Sequence, residues 1–242
     1  TDGTGRIQLT QGKESQVEPA FIDEGERIAY LQGGNLWTMK CDGTDKKQLS
    51  QGEDIEGYKF SPDGKQIVVI RQVASTTSIM PKEKDLPLAT GLVINDMNYR
   101  HWDQYVQTIP HIFLASVEKD GLGEMKDLLE GEPYECPVLP FGGSEQFCWS
   151  PDGKQIAYTS RKKTGVAYAT STDTDIYIYN VETGQTTNVC KPEGYVEPKA
   201  DALKSLEKQA KNQQSEDINA GYDQDPQFSP DGTMLAWKSM ER

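Results

Sequence analysis

The sequence predicts an all-β fold, a β-propeller of four-stranded antiparallel blades. Three observations predict it. The unit Phe60-Ser61-Pro62-Asp63-Gly64 recurs as Trp149-Ser150-Pro151-Asp152-Gly153 and as Phe228-Ser229-Pro230-Asp231-Gly232, with a worn copy at Phe21-Ile22-Asp23-Glu24-Gly25. In every copy a short apolar strand starts seven positions after the aromatic, at Ile67, Ile156, Leu235 and Ile28. A second half then follows: residues 35–39, the turn Asp42-Gly43-Thr44 and residues 47–50 in the first unit, with counterparts at 111–129 and 176–189. Self-similarity at a fixed register is the mark of a repeat architecture. Four short antiparallel strands per unit make the blade of a propeller.

The residues of the repeat follow from turn chemistry. Proline has its φ pre-set for the second position of a turn. The aspartate carboxylate can fold back onto nearby backbone N–H groups. Glycine takes the positive φ that ends the turn without a Cβ clash. The flanking segments alternate apolar with polar residues, as half-buried strands do. Ser-Pro-Asp-Gly is therefore expected to join the first and second strands of a blade.

The opening residues, Asp2-Gly3-Thr4 through Gln8-Leu9-Thr10, match the end of a blade, and the chain stops just after a second strand. The favoured expectation is one partial propeller domain over residues 1–242, with about three whole blades and incomplete ends. Cut blades leave edges through which copies could associate. The rival reading is a closed four-bladed ring that pairs residues 6–10 with strands at 226–239. The repeat aromatics are spaced by 39, 89 and 79 residues, whereas a blade needs about 40–45. Insertions are therefore expected at 72–108 and 191–221. The second holds one amphipathic helix, residues 198–210, with Ala202, Leu203, Leu206 and Ala210 on one face. The first contains Asn98-Tyr99-Arg100-His101-Trp102-Asp103-Gln104-Tyr105, dense in aromatic and hydrogen-bonding groups. Ordered loops on a rigid scaffold often carry function, so Arg100, His101, Trp102, Asp103 and Tyr105 are the candidate binding residues.

Chemistry is harder to place in the chain. A net charge of −13 argues against nucleic acid, and no run of 18 apolar residues is present to span a membrane. No Gly-x-Ser-x-Gly nucleophile elbow occurs, and His101 and His111 lack a nucleophile in recognisable context. No catalytic residue, metal ligand set or cofactor motif is assigned. Asp63, Asp152 and Asp231 recur because the turn recurs. Asp173 and Asp175 read as a solvated turn. Cys136 and Cys148 are read either as a disulfide across neighbouring strands or as buried thiols.

The Ser-Pro-Asp-Gly-Lys blades resemble the WD40-like repeats in the N-terminal propeller of prolyl-oligopeptidase-family serine peptidases. Similar repeats occur in the periplasmic TolB propeller. The stretch Tyr99-Arg100-His101-Trp102-Asp103-Gln104-Tyr105, followed by His111-Ile112-Phe113-Leu114, looks like the Arg-His-Trp-Asp segment of the dipeptidyl- and acylaminoacyl-peptidase-like members. The resemblance implies a non-catalytic segment that packs on an α/β-hydrolase domain and filters short peptide substrates, in a periplasmic or secreted protein, with the cytoplasm as the alternative. It also implies that Arg100 and Trp102 lie where the insertion folds back, with the indole buried. Glu53 and Glu56 are the nearest match to the acidic pair that anchors substrate amino termini in some members, and are not assigned that role. The other readings are a TolB-like protein-interaction propeller and a small-molecule or carbohydrate binder using Tyr99, Trp102 and Tyr105.

Overall fold

The computed structural model describes residues 4–195 and 221–240. The expected helix at 198–210 lies outside the described residues. The chain divides into two compact units, Thr1–Arg71 with Ile112–Leu128, and Gln72–His111 with Leu129–Arg242.

The first unit holds the sheet β1 (Gln16–Ile22), β2 (Arg27–Gln32), β3 (Asn35–Lys40) and β4 (Lys47–Gln48), paired in that order. A second sheet contains β5 (Gly57–Phe60) and β6 (Gln66–Ala74). The chain then makes two small hairpins, β7 (Ile79–Pro81) with β8 (Leu92–Ile94) and β9 (Arg100–His101) with β10 (Gln104–Tyr105). It returns as β11 (Thr108–Glu118), followed by β12 (Gly121–Leu122) and β13 (Lys126–Asp127). The order in that sheet is β12-β11-β6-β5, and β13 also pairs with β11.

The second unit carries β14 (Phe147–Trp149), β15 (Gln155–Ser160), β16 (Asp175–Asn180) and β17 (Thr186–Asn188) as one four-stranded sheet. A short helix, α1 (Gly165–Thr170), interrupts it between β15 and β16. A hairpin of β18 (Tyr222–Phe228) and β19 (Leu235–Met240) follows. The fold class is the expected one: all-β, made of antiparallel sheets of the blade type. Among the described residues, no helix is long and apolar enough to cross a membrane.

The seven-residue spacing has a direct cause. Each repeat aromatic stands opposite the aliphatic residue seven positions on: Phe21 and Ile28, Phe60 and Ile67, Trp149 and Ile156, Phe228 and Leu235. Between them the turn closes in one way three times. The N–H of Gly64, Gly153 and Gly232 donates to the carbonyl of Ser61, Ser150 and Ser229 at 2.8–2.9 Å. The three glycines have φ of +70° to +71°. The serine hydroxyl donates to the aspartate and accepts an N–H from the next strand, as in Ser150 with Asp152 and Gln155. The worn copy lacks Ser-Pro, and its Asp23 and Glu24 sit at φ 50° and 55°, a left-handed region costly to side chains.

The hydroxyl and backbone donors hold the turn carboxylates below their ordinary value, and Asp231 is drawn down to about 2. A depressed carboxylate stabilises the fold above its unfolded pKa and loses that effect as pH falls through the folded one. Acidification from about pH 4 towards pH 2 is therefore expected to loosen the β18–β19 turn. Asp231→Asn should flatten that part of a thermal-stability profile against pH.

The core of the second unit packs Cys148, Ala157, Ile176, Cys190 and Phe228 together, with Ile178, Val189 and Leu235 against them. This joins the four-stranded sheet to the β18–β19 hairpin through apolar contact, as stacked repeats do. All four cysteines are free thiols, and Cys136 lies in a loop rather than on a strand. Of the two cysteine readings, buried thiols hold for Cys136, Cys148 and Cys190, whereas Cys41 is exposed.

Candidate functional site

The Arg-His-Trp-Asp stretch forms a small two-stranded hairpin. His101 pairs with Gln104 and Arg100 with Tyr105, so Trp102 and Asp103 make the two-residue turn. Such tight hairpin turns need positive φ, and Trp102 has φ 48°. The indole is 76% exposed. Its ring stands edge-on to Phe141 with centroids 6.0 Å apart, and Phe141 is also exposed. This corrects the expectation that Trp102 is buried where the insertion folds back. A two-residue turn throws its first side chain outward, and the ring stands in solvent beside Phe141. Trp102→Ala is accordingly expected to cost less than about 0.5 kcal/mol in a denaturant titration.

Arg100, Asp103 and Tyr105 are also exposed, and the Arg100 guanidinium lies 5.8 Å from the Tyr105 ring centroid. His101 alone of the five turns inward. Its Nε2 is buried without a hydrogen-bond partner among the described residues. Burial, then the positive charge of Arg161, holds its pKa below the ordinary value. The hairpin thus shows an aromatic tip to solvent and keeps a neutral imidazole beneath it.

Below lies a charged layer that sequence reasoning missed. Arg161, Lys162 and Lys163 follow β15 directly, and each takes a different acid. Arg161 Nη2 donates to Glu135 Oε1 at 3.1 Å. Lys162 reaches Glu132 at 2.6 Å, and Lys163 reaches Asp173 at 2.8 Å. Glu135 is 1% exposed, and Tyr168 donates its hydroxyl to the same oxygen at 3.0 Å. The Arg161 guanidinium also stacks 3.9 Å from the centre of the Tyr168 ring, a favourable cation–π geometry. Burial pushes the Glu135 carboxyl up, opposed by Arg161 and Tyr168. The segment between β8 and β9 is tied to the start of α1, where the Gly165 N–H donates to both Asp96 oxygens at 3.3 Å. The available signal was three adjacent cations directly after a strand.

Asp173 and Asp175 do not form a solvated turn. Their side chains are 3–5% exposed and face Lys163 and Lys191, whose side chains are themselves 7% and 2% exposed. Buried charges persist only when paired, and this sheet interior pairs them. Asp175, Cys190 and Asp223 place ligand-type atoms within 4.8 Å of one another. Protein donors already answer this group. Trp237 Nε1 donates to Asp223 at 2.9 Å, and the Ile176 N–H donates to the Cys190 sulfur at 3.3 Å. Burial pushes the Cys190 thiol up to about 12. In the first unit Glu53 is engaged by Arg71 at 3.0 Å.

No family model matches the chain. It is 44% identical over 249 residues to dipeptidyl-peptidase 5 of Porphyromonas gingivalis, covering 100% of this chain and 32% of that protein. The chain is homologous to part of dipeptidyl-peptidase 5. The enzyme of the same name from Porphyromonas endodontalis is 40% identical over 247 residues, again covering 100% of this chain and 32% of the relative. The chain thus spans about a third of the length of the curated relatives it matches. Among solved structures it is similar to a protein described as TolB from Agrobacterium tumefaciens, with 16% identity and a TM-score of 0.49 over 96% of this chain and 56% of that one.

Proposed function

We propose that this chain is the non-catalytic propeller segment of a serine dipeptidyl peptidase. In this reading the reactive serine, aspartate and histidine belong to an α/β-hydrolase domain elsewhere in the parent polypeptide. The observation that carries the reading is the identity of 44% along the whole chain with one third of a dipeptidyl-peptidase 5. The residues of the chain support it. Its titratable clusters are closed on themselves by ion pairs, and no serine or cysteine among the described residues stands in a recognisable nucleophile setting. The scaffold's part is to wall the cavity and to admit short peptides.

Arg100, Trp102, Asp103 and Tyr105 are the groups we place against peptide, with His101 bracing their hairpin from below. The exposed Trp102–Phe141 pair offers an apolar contact for a side chain, and Arg100 and Asp103 offer charged ones. The test compares the purified chain with its full-length parent on a dipeptidyl p-nitroanilide. Hydrolysis is expected from the parent alone. Turnover by the 242-residue chain would overturn the reading. Within the parent, Trp102→Ala is expected to raise KM several-fold at unchanged kcat, since uniform binding is lost.

A further inference from the structure

In the loop between β13 and β14, buried hydrogen bonds fix a ring that faces water. Phe141 is 84% exposed, whereas Val138 and Gln146 on either side of it are 7% and 4% exposed. Gln146 Oε1 accepts the Val138 N–H at 2.7 Å, and the Gly142 N–H donates to the Val138 carbonyl at 2.9 Å. Both main-chain polar groups of Val138 are thus answered by residues that follow Phe141, which closes residues 138–142 into a tight loop. Gly142 has no room for a side chain. A Cβ there would lie 2.6 Å from the Val138 carbonyl oxygen and closer still to Gln146 Oε1. Gln146 in turn precedes Phe147, the first residue of β14, which is 0% exposed and stands opposite Tyr158. A buried amide therefore fastens the loop to the four-stranded sheet.

A phenyl in solvent gains nothing from burial, so the brace does not serve the core through this ring. A rigidly held ring does serve binding, because less side-chain freedom is lost when a ligand arrives. The Phe141 and Trp102 rings meet at 62° with centroids 6.0 Å apart. At that angle one bulky apolar side chain can touch both. We propose that Phe141 sets substrate selectivity in this site, and that Gln146 and Gly142 are its positioning residues. The favoured class is peptides with a bulky apolar side chain on the amino-terminal residue. The inference rests on the proposed function. A dipeptidyl substrate has two side chains on the acyl side of the cleaved bond. The one next to that bond lies nearest the reactive serine of the hydrolase domain, which leaves the amino-terminal one for the propeller.

The probes are phenylalanyl-alanyl and glycyl-alanyl p-nitroanilides, hydrolysed by the full-length parent. The quantity read is the ratio of kcat/KM for the first to that for the second. Phe141→Ala removes an exposed side chain and leaves the brace whole, and is expected to lower the ratio about tenfold. The change should lie in KM, as for a contact made equally in ground and transition states. Gln146→Met keeps the shape of the side chain but not the acceptor for the Val138 N–H. It is expected to lower the ratio as well, and to lower it no further once Phe141 is alanine, because residues that act through one another are not additive. Gly142→Ala strikes the same brace from its other side and should behave alike. A ratio that Phe141→Ala leaves as it was overturns the proposal. So does a Gln146→Met effect of the same size with and without the phenyl, because the amide then acts elsewhere. In either case the parent still hydrolyses both probes and the proposed function stands. Turnover by the 242-residue chain alone sinks that function instead.

Discussion

Asp173→Ala is expected to destabilise the chain by about 3–5 kcal/mol, because it removes one partner from a buried charge group. Asp173 faces Lys163 at 2.8 Å and Lys191 at 3.6 Å, and both lysine side chains are under 10% exposed. Without its carboxylate, two buried ammonium groups each lose an acidic partner. Asp175, at 3.4 Å from Lys191, neutralises only part of that excess. Urea unfolding of the wild-type and variant chains reads the difference as a shift in midpoint at constant slope. A loss under about 1 kcal/mol would show that the lysines escape to solvent, as exposed pairs do. Asp173→Asn should cost nearly as much. It keeps the shape and a hydrogen-bond acceptor but not the charge.

Arg161→Ala is the second large effect, with an expected loss of about 3 kcal/mol. It strips Glu135 of its cation, removes the guanidinium from the Tyr168 ring, and leaves the carboxylate 1% exposed. The sign of its pH dependence is fixed by burial. Glu135 already has its pKa raised by desolvation, and losing Arg161 raises it further. A carboxyl with a raised folded pKa is favoured in its neutral form, so its burial is tolerated at low pH and becomes costly as pH rises through the folded value. The Arg161→Ala deficit should therefore shrink on acidification, measured by melting temperature across a pH series. Removing both charges, as Arg161→Met with Glu135→Gln, should recover most of the loss, since replacing a whole buried pair is often close to neutral. A double variant as unstable as the single one would show that the packing of Arg161, not its charge, is what matters.

The repeat turn was fully legible in the sequence. Ser61, Ser150 and Ser229 each sit two residues before the aspartate they bond, and Gly64, Gly153 and Gly232 each close the turn on the serine carbonyl. Every partner lies within five residues, so a short string of letters contains the whole interaction. The pairing of Phe60 with Ile67 or Trp149 with Ile156 follows from the same turn, because fixing the hairpin fixes the register. The candidate site was legible only as a composition. The letters of Arg100 to Tyr105 mark a loop rich in contact chemistry, but not which side chains face water.

From the sequence alone came the all-β class, the repeated hairpins and the strand opposite each aromatic, because these rest on turn geometry and alternation over a few residues. Tertiary structure alone decided that Arg161, Lys162 and Lys163 go to Glu135, Glu132 and Asp173, and that Trp102 stands in solvent beside Phe141. Those contacts join residues 26 and 30 positions apart in the chain for the first two cations. No local periodicity selects among the many acids that a lysine or arginine might meet. The choice is made by which backbone segments pack together, and by the large cost of leaving any one of these charges buried without a partner.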